Sequence, residues 1–194
     1  MQLKRTDADT SPAPATKRGS AGLEEQPTIE IRQATDADIP AIAHIIQEAW
    51  KTAYAGIIPQ SYLGAMREES KQKRLREGLQ RVQHMRYFVL CENGVPVGAA
   101  SLHRARNDDM PDAAEFSFFY FLPAVWRKGY GTMLLNRLKE ESTKAGFLRI
   151  CCWVLEENHR AVSFYESQGL LRDGTRQTET IEIPLQEIRC VGKL

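Results

Sequence analysis

A strand, a glycine turn and a helix follow one another between Ala114 and Gly146, and this succession constrains the fold more than any other stretch of the chain. Residues 114–122 read AEFSFFYFL, an aromatic-rich strand that stops before Pro123. Leu134, Leu135, Leu138 and Ala145 then recur at helical spacing, and Gly146 supplies the C-terminal stop. The turn between them is Trp126-Arg127-Lys128-Gly129-Tyr130-Gly131. It leaves the first N–H groups of the helix without intrahelical acceptors and sets the positive end of the helix dipole behind them, which makes an anion site. Gly129 and Gly131 remove the Cβ atoms that would hold a pyrophosphate off the backbone, and Arg127, Lys128 and Thr132 can add charge or a hydroxyl donor. By itself the spacing also fits a turn needed only for chain reversal. The third glycine of G-x-G-x-x-G and the Gly-Lys-Ser/Thr ending of a Walker loop are both missing, which counts against dinucleotide and nucleoside-triphosphate binding.

Around this unit the pattern predicts strands at Thr28 to Gln33, Tyr87 to Cys91 and Val95 to His103, the last two joined by Glu92-Asn93-Gly94. Asn-Gly is the strongest short hairpin signal because both residues tolerate positive φ. Thr35-Asp36-Ala37-Asp38 caps a helix whose apolar positions are Ile39, Ile42, Ala43, Ile46 and Ala49 or Trp50. A second helix, basic and rich in straight-chain residues, is predicted from Pro59 to about His84. After the glycine-turn unit come a strand from Phe147 to Val154, a helix from Asn158 to Gln168 stopped by Gly169, and strands at Leu170 to Arg176 and Leu185 to Val191. The class is α/β (α+β), a mixed sheet with helices on both faces.

Residues 1–27 hold no aromatic and no β-branched aliphatic residue, and they are predicted to be a disordered tail ahead of one domain over 28–194. A chain of 194 residues with 42 % hydrophobic residues can bury one core well. A formal charge of +1 gives no global field favouring nucleic acid or an anionic membrane. No apolar run approaches the roughly 18 residues of a membrane span, and no secretory stretch opens the chain, so a cytoplasmic address is expected. Cys91, Cys151, Cys152 and Cys190 show no zinc-ligand spacing; they read as reduced structural thiols, and no metal is expected.

Two motifs together resemble the GNAT superfamily of N-acetyltransferases. Arg127-Lys128-Gly129-Tyr130-Gly131 is similar to the pyrophosphate signature Gln/Arg-x-x-Gly-x-Gly/Ala, with Trp126 where that signature has its first polar residue. Asn158-x-x-Ala161-x-x-Phe164-Tyr165-x-x-x-Gly169-Leu170 resembles the second signature, Asn-x-x-Ala-x-x-Phe-Tyr-x-x-x-Gly-Phe, and the likeness in element order runs from Ile29 to about Val191. The resemblance implies a mostly antiparallel sheet of six to seven strands with about four helices, splayed in the middle for acetyl-CoA. It implies transfer of the acetyl group to a primary amine on a small molecule or peptide, by a monomer or homodimer. Phe119, Tyr120 and Phe121 would pair their backbones with the pantetheine arm, while Arg127 to Thr132, Tyr130 included, would hold the pyrophosphate. Asn158 would bind the cofactor arm, and it also fits a helix N-cap. Tyr165 would protonate the departing thiolate; a packed aromatic is the plain alternative. Glu115, 14 residues before Gly129, stands where some members carry a base, although an outward-facing glutamate or ordered water fits as well. Trp50 and Tyr54, with Tyr62, would border the acceptor.

Two further readings compete with transfer. A domain of the same fold could hold acetyl-CoA as a sensor without turnover. Residues 67–86 carry seven basic and three acidic side chains, which a solvated helix face explains more simply than nucleic-acid binding.

Overall fold

A computed structural model describes residues 26–82 and 84–194; the expected N-terminal tail lies outside these except for Gln26 and Pro27. The chain opens with β1 (Ile29–Gln33), a 3-10 turn at Asp36–Asp38 and α1 (Ile39–Ala53). The capping signal lies on the 3-10 turn: the Thr35 N–H donates to Asp38 Oδ2 at 2.7 Å, and Arg32 holds both oxygens of the same carboxylate at 2.8 Å. Next come α2 (Gln60–Ala65) and α3 (Glu68–Arg81), where the sequence predicts one continuous helix. Met66 and Arg67 are extended, Met66 packs into a core cluster with Leu63, and Arg67 donates to the carbonyls of Gly64 and Met66 at 3.1 and 3.0 Å. Burial of Met66 and capture of the terminal carbonyls outweigh helix propensity here.

β2 (Arg86–Glu92) and β3 (Val95–Arg104) form the expected hairpin, with Asn93 and Gly94 at φ of 52° and 79°. Alternation sends Tyr87, Val89 and Cys91 to the face covered by α1, and Phe88 and Leu90 to the opposite face. There they meet Leu134, Leu135 and Leu138 of α4 (Tyr130–Lys144). The sheet is completed by β4 (Ala113–Glu115), β5 (Phe119–Phe121), β6 (Arg149–Leu155), β7 (Leu171–Ile181) and β8 (Ile183–Lys193), with α5 (His159–Ser167) between β6 and β7. Strand order is β1-β2-β3-β4-β6-β8-β7, antiparallel throughout except for the parallel β4–β6 pair, and β5 pairs with β3 alone. Among the described residues, eight strands and five α-helices stand where six to seven and about four are expected. No described helix is long and apolar enough to cross a membrane.

The predicted single strand over 114–122 is two short strands with a break between them. β4 stays with β6 up to the Phe116 N–H, which donates to the Cys151 carbonyl at 3.1 Å. The buried Ser101 hydroxyl of β3 then accepts the N–H groups of Ser117 at 2.8 Å and Phe118 at 3.1 Å, satisfying backbone that has left the ladder. Beyond the break β5 follows β3, and the C-terminal half of β6 follows β8, so the sheet forks.

Gly98 holds the β5 prong close. It lies opposite Phe121, and a Cβ at this position would stand 2.3 Å from the Phe121 ring. Gly98→Ala is therefore expected to cost about 1–3 kcal/mol through overpacking. Combining it with Phe121→Leu should return part of that loss in a double-mutant cycle read by denaturant unfolding. Independent, additive losses would mean that the two residues do not constrain each other.

Candidate active site

The fork opens into a cavity of about 920 Å³ that runs between the prongs. The turn Arg127–Thr132, α5 and the β5 aromatics line one part; Trp50, Tyr54, Ile58, Leu155, Ile181 and Glu187 line another.

Main-chain donors supply the first part. Arg127 and Gly129 adopt left-handed φ of 69° and 84°, which turns the chain sharply into α4. Among the described residues, no N–H from Arg127 to Thr132 has a backbone acceptor, so a cluster of donors faces the cavity at a helix start. Gly131 is needed for close approach, since a Cβ there would meet the Phe164 ring at 3.1 Å. One predicted side-chain contributor, Lys128, is turned elsewhere, and so is the Tyr130 hydroxyl. Lys128 Nζ binds Glu92 at 2.8 Å and the Tyr130 hydroxyl donates to the same carboxylate, leaving Arg127 and Thr132 as the polar side chains of the turn on the cavity. Trp126 donates its indole N–H to the Phe121 carbonyl at 3.0 Å, and the Arg160 guanidinium stacks 3.6 Å over its ring. A cation thus reaches the cavity rim from α5, on the platform that replaces the polar first residue of the motif.

β5 presents a backbone edge to the gap, with only the Phe121 carbonyl engaged, by the Trp126 indole. Leu122 donates to the Val97 carbonyl and Phe118 accepts from Ser101, so by alternation Phe119 and Phe121 direct their main-chain groups toward the gap. Across that gap stands α5. Asn158 caps it, accepting the Ala161 N–H at 3.2 Å, and also lines the cavity. Tyr165 packs against Phe116 and Phe164 with ring centroids 5.5 Å apart, is 7 % exposed, and lines the cavity with a hydroxyl that makes no hydrogen bond among the described residues. Burial pushes its phenol well above the ordinary tyrosine range, which keeps it protonated at neutral pH.

In the second part of the cavity Tyr54 and Tyr120 join hydroxyls at 3.0 Å, and the Trp50 ring stands edge-on to Tyr54 at 5.0 Å. Tyr62 rests against Trp50 behind the wall. Two glutamates that the sequence reading passed over, Glu179 of β7 and Glu187 of β8, complete the lining. Glu187 accepts from Gln177 Nε2 at 2.7 Å, neither carboxylate forms an ion pair among the described residues, and burial pushes Glu187 upward. The available signal was a carboxylate sharing a strand face with Leu185 and Arg189, but the segment Thr178–Ile183 is too polar to announce a strand that borders a cavity.

Glu115 does not join this constellation. It is buried outside the cavity lining, where Arg106 Nη2 binds Oε1 at 2.6 Å and the Arg106 N–H reaches Oε2 at 3.3 Å. His103 stands 3.8 Å away with Nδ1 donating to the Arg104 carbonyl, and burial draws its imidazole toward the neutral form. This geometry anchors the β3–β4 connection. Glu115→Gln is accordingly expected to lower unfolding free energy by about 1–3 kcal/mol in urea titrations, because Arg106 loses its charged acceptor. A carboxylate free for chemistry would leave stability unchanged.

The four cysteines are free and buried, Cys151 and Cys152 on opposite faces of β6. No group of three or more His, Cys, Asp or Glu that could hold a metal occurs among the described residues.

A family model described as "Acetyltransferase (GNAT) family" matches residues 42–170. The chain is 28 % identical over 161 residues to an uncharacterized N-acetyltransferase, YuaI, of Bacillus subtilis (strain 168), covering 82 % of this chain and 90 % of that one. It is 27 % identical over 158 residues to a spermidine N(1)-acetyltransferase of Thermoplasma acidophilum, covering 79 % and 95 %. Among solved structures, the PaiA N-acetyltransferase of Thermoplasma acidophilum in complex with coenzyme A superposes with a TM-score of 0.69 at 20 % identity, over 86 % of this chain and 99 % of that one. The family match runs from α1 through the fork and the turn to the residue after Gly169, and the chain belongs to the GNAT family of acetyltransferases.

Proposed function

We propose that this protein transfers the acetyl group of acetyl-CoA to a primary amine by direct attack on the thioester. The observation that carries this reading is the convergence, in one cavity, of the unpaired N–H cluster at Arg127–Thr132, the gap-facing edge of β5 and the unpartnered Tyr165 hydroxyl. The turn suits a pyrophosphate, with Arg127, Thr132 and Arg160 adding donors to the backbone amides, and Lys128 and Tyr130 contributing only their N–H groups. Phe119 and Phe121 can pair with the amides of the pantetheine arm as an additional strand would, which directs the thioester toward Asn158 and Tyr165. Relatives named as N-acetyltransferases, one of them acting on spermidine, support an amine acceptor entering from the side of Trp50 and Tyr54.

Aminolysis needs a neutral amine, a polarised carbonyl and a proton for the departing sulfur. A phenol kept neutral by burial can donate that proton from Tyr165 as the C–S bond breaks. Tyr165→Phe keeps the ring and its packing, so acetyl-CoA affinity measured calorimetrically should hold while thiol release falls by roughly ten- to a thousandfold. Wild-type turnover in the Phe variant would return Tyr165 to a packing role. Acetyl-CoA bound by a folded wild type that never releases thiol with any amine would favour the sensor reading instead.

A further inference from the structure

The proposed reaction leaves one proton unassigned. A primary ammonium must lose a proton before it can attack, and Glu115 lies outside the cavity. Glu187 is the half-buried carboxylate in the cavity wall, paired in register with Leu155 of β6 and Gln177 of β7, beside the Tyr54–Tyr120 hydroxyl pair. Its face of β8 also carries Leu185, which packs with Tyr54, Ile58 and Leu63, so the side chain stands on the α1 side of the fork. Its neutral partner, Gln177, orients the carboxylate without neutralising it. Glu179 adds a second unpaired negative charge at the exposed rim.

We propose that Glu187 binds the acceptor ammonium and accepts its proton, and that Glu179 and Glu187 together select amines carrying no carboxylate next to the reacting arm. This rests on the acetyl-transfer reading. In the balanced reaction R–NH₃⁺ gives one proton to Glu187, and the freed nitrogen bonds the thioester carbon as the C–S bond breaks. Tyr165 protonates the sulfur and is restored by a second proton from the nitrogen; Glu187 returns the first to solvent. A carboxylate beside the amine would meet uncompensated like charge at the rim, whereas an aliphatic diamine presents cations to both glutamates.

The charged and titratable groups whose fields reach Glu187 are Glu179 from β7, Tyr54 at the end of α1, Arg106 from the β3–β4 connection and the buried Glu115 from β4. Glu179, Glu115 and burial favour its protonated form, while Arg106 and Gln177 oppose them. Proton acceptance therefore fades as pH falls toward a value raised above the ordinary glutamate range.

The test compares 1,5-diaminopentane with lysine, which differs from it by one carboxylate. The wild type should prefer the diamine at least tenfold in kcat/KM. Glu187→Gln retains an acceptor for the Gln177 amide; it should lower diamine turnover roughly ten- to a hundredfold at pH 7, recover toward pH 10 where the amine is already neutral, and narrow the gap to lysine. Glu179→Gln should raise KM with little change in kcat. Equal rates at every pH for Glu187→Gln, or a preference for lysine, overturns the proposal while leaving acetyl transfer intact. If the wild type binds acetyl-CoA but turns over no amine, transfer itself fails; calorimetry with 1,5-diaminopentane then decides the ammonium site. Wild-type binding abolished by Glu187→Gln sustains that site, and no binding removes it.

Discussion

The molecule depends on one hydroxyl. The buried Ser101 hydroxyl accepts two consecutive amides, those of Ser117 and Phe118, at the point where the aromatic segment abandons β4 geometry, and so removes the cost of leaving them unpaired in a part-buried position. Without such an acceptor, the strand would do better to continue along both neighbours and close the sheet. With it, β5 follows β3, the distal half of β6 follows β8, and the space between the prongs becomes the cavity. Gly98 complements this by letting the Phe121 ring lie on the β3 backbone, which seats β5 on one side of the opening.

The same fork separates charge. Cationic and N–H donor groups collect at the turn, from Arg127 and Thr132 and from Arg160 on its Trp126 platform. Carboxylates line the part of the cavity formed by β7 and β8, with aromatic rings from α1 and β5 between the two regions. A cavity polarised in this way suits two ligands of opposite charge that meet in its middle, where Tyr165 has no partner of its own. Field and shape therefore carry the same message.

Much of this was legible from local patterns. Asn93-Gly94, the helix stops at Gly146 and Gly169, and the turn glycines each act within a few residues, and each sits in the structure where the sequence puts it, with positive φ at Gly94, Gly129, Gly146 and Gly169. Tyr165, Asn158, Trp50 and Tyr54, which the family resemblance singled out, all line the cavity. The features that escaped depend on partners far along the chain. The break at Phe116–Phe118 needs Ser101, sixteen residues earlier in the case of Ser117. The interruption at Met66 needs a cluster that includes Leu155 and Leu185. Glu115 alternates in its strand as a solvent-facing residue would, yet Arg106 folds over it and seals it in. Glu187 belongs to a long polar hairpin whose position beside the cavity follows from the strand order, which no local pattern encodes.

In the proposed reaction the fork and the N–H cluster at the turn seat the acyl donor. Amide hydrogen exchange with and without acetyl-CoA examines it directly. Strong added protection is expected at Gly129, Tyr130, Gly131 and Thr132 and at the gap-facing N–H groups of Phe119 and Phe121, with little change in β7. Unchanged exchange at the turn and β5 under saturating acetyl-CoA would contradict it.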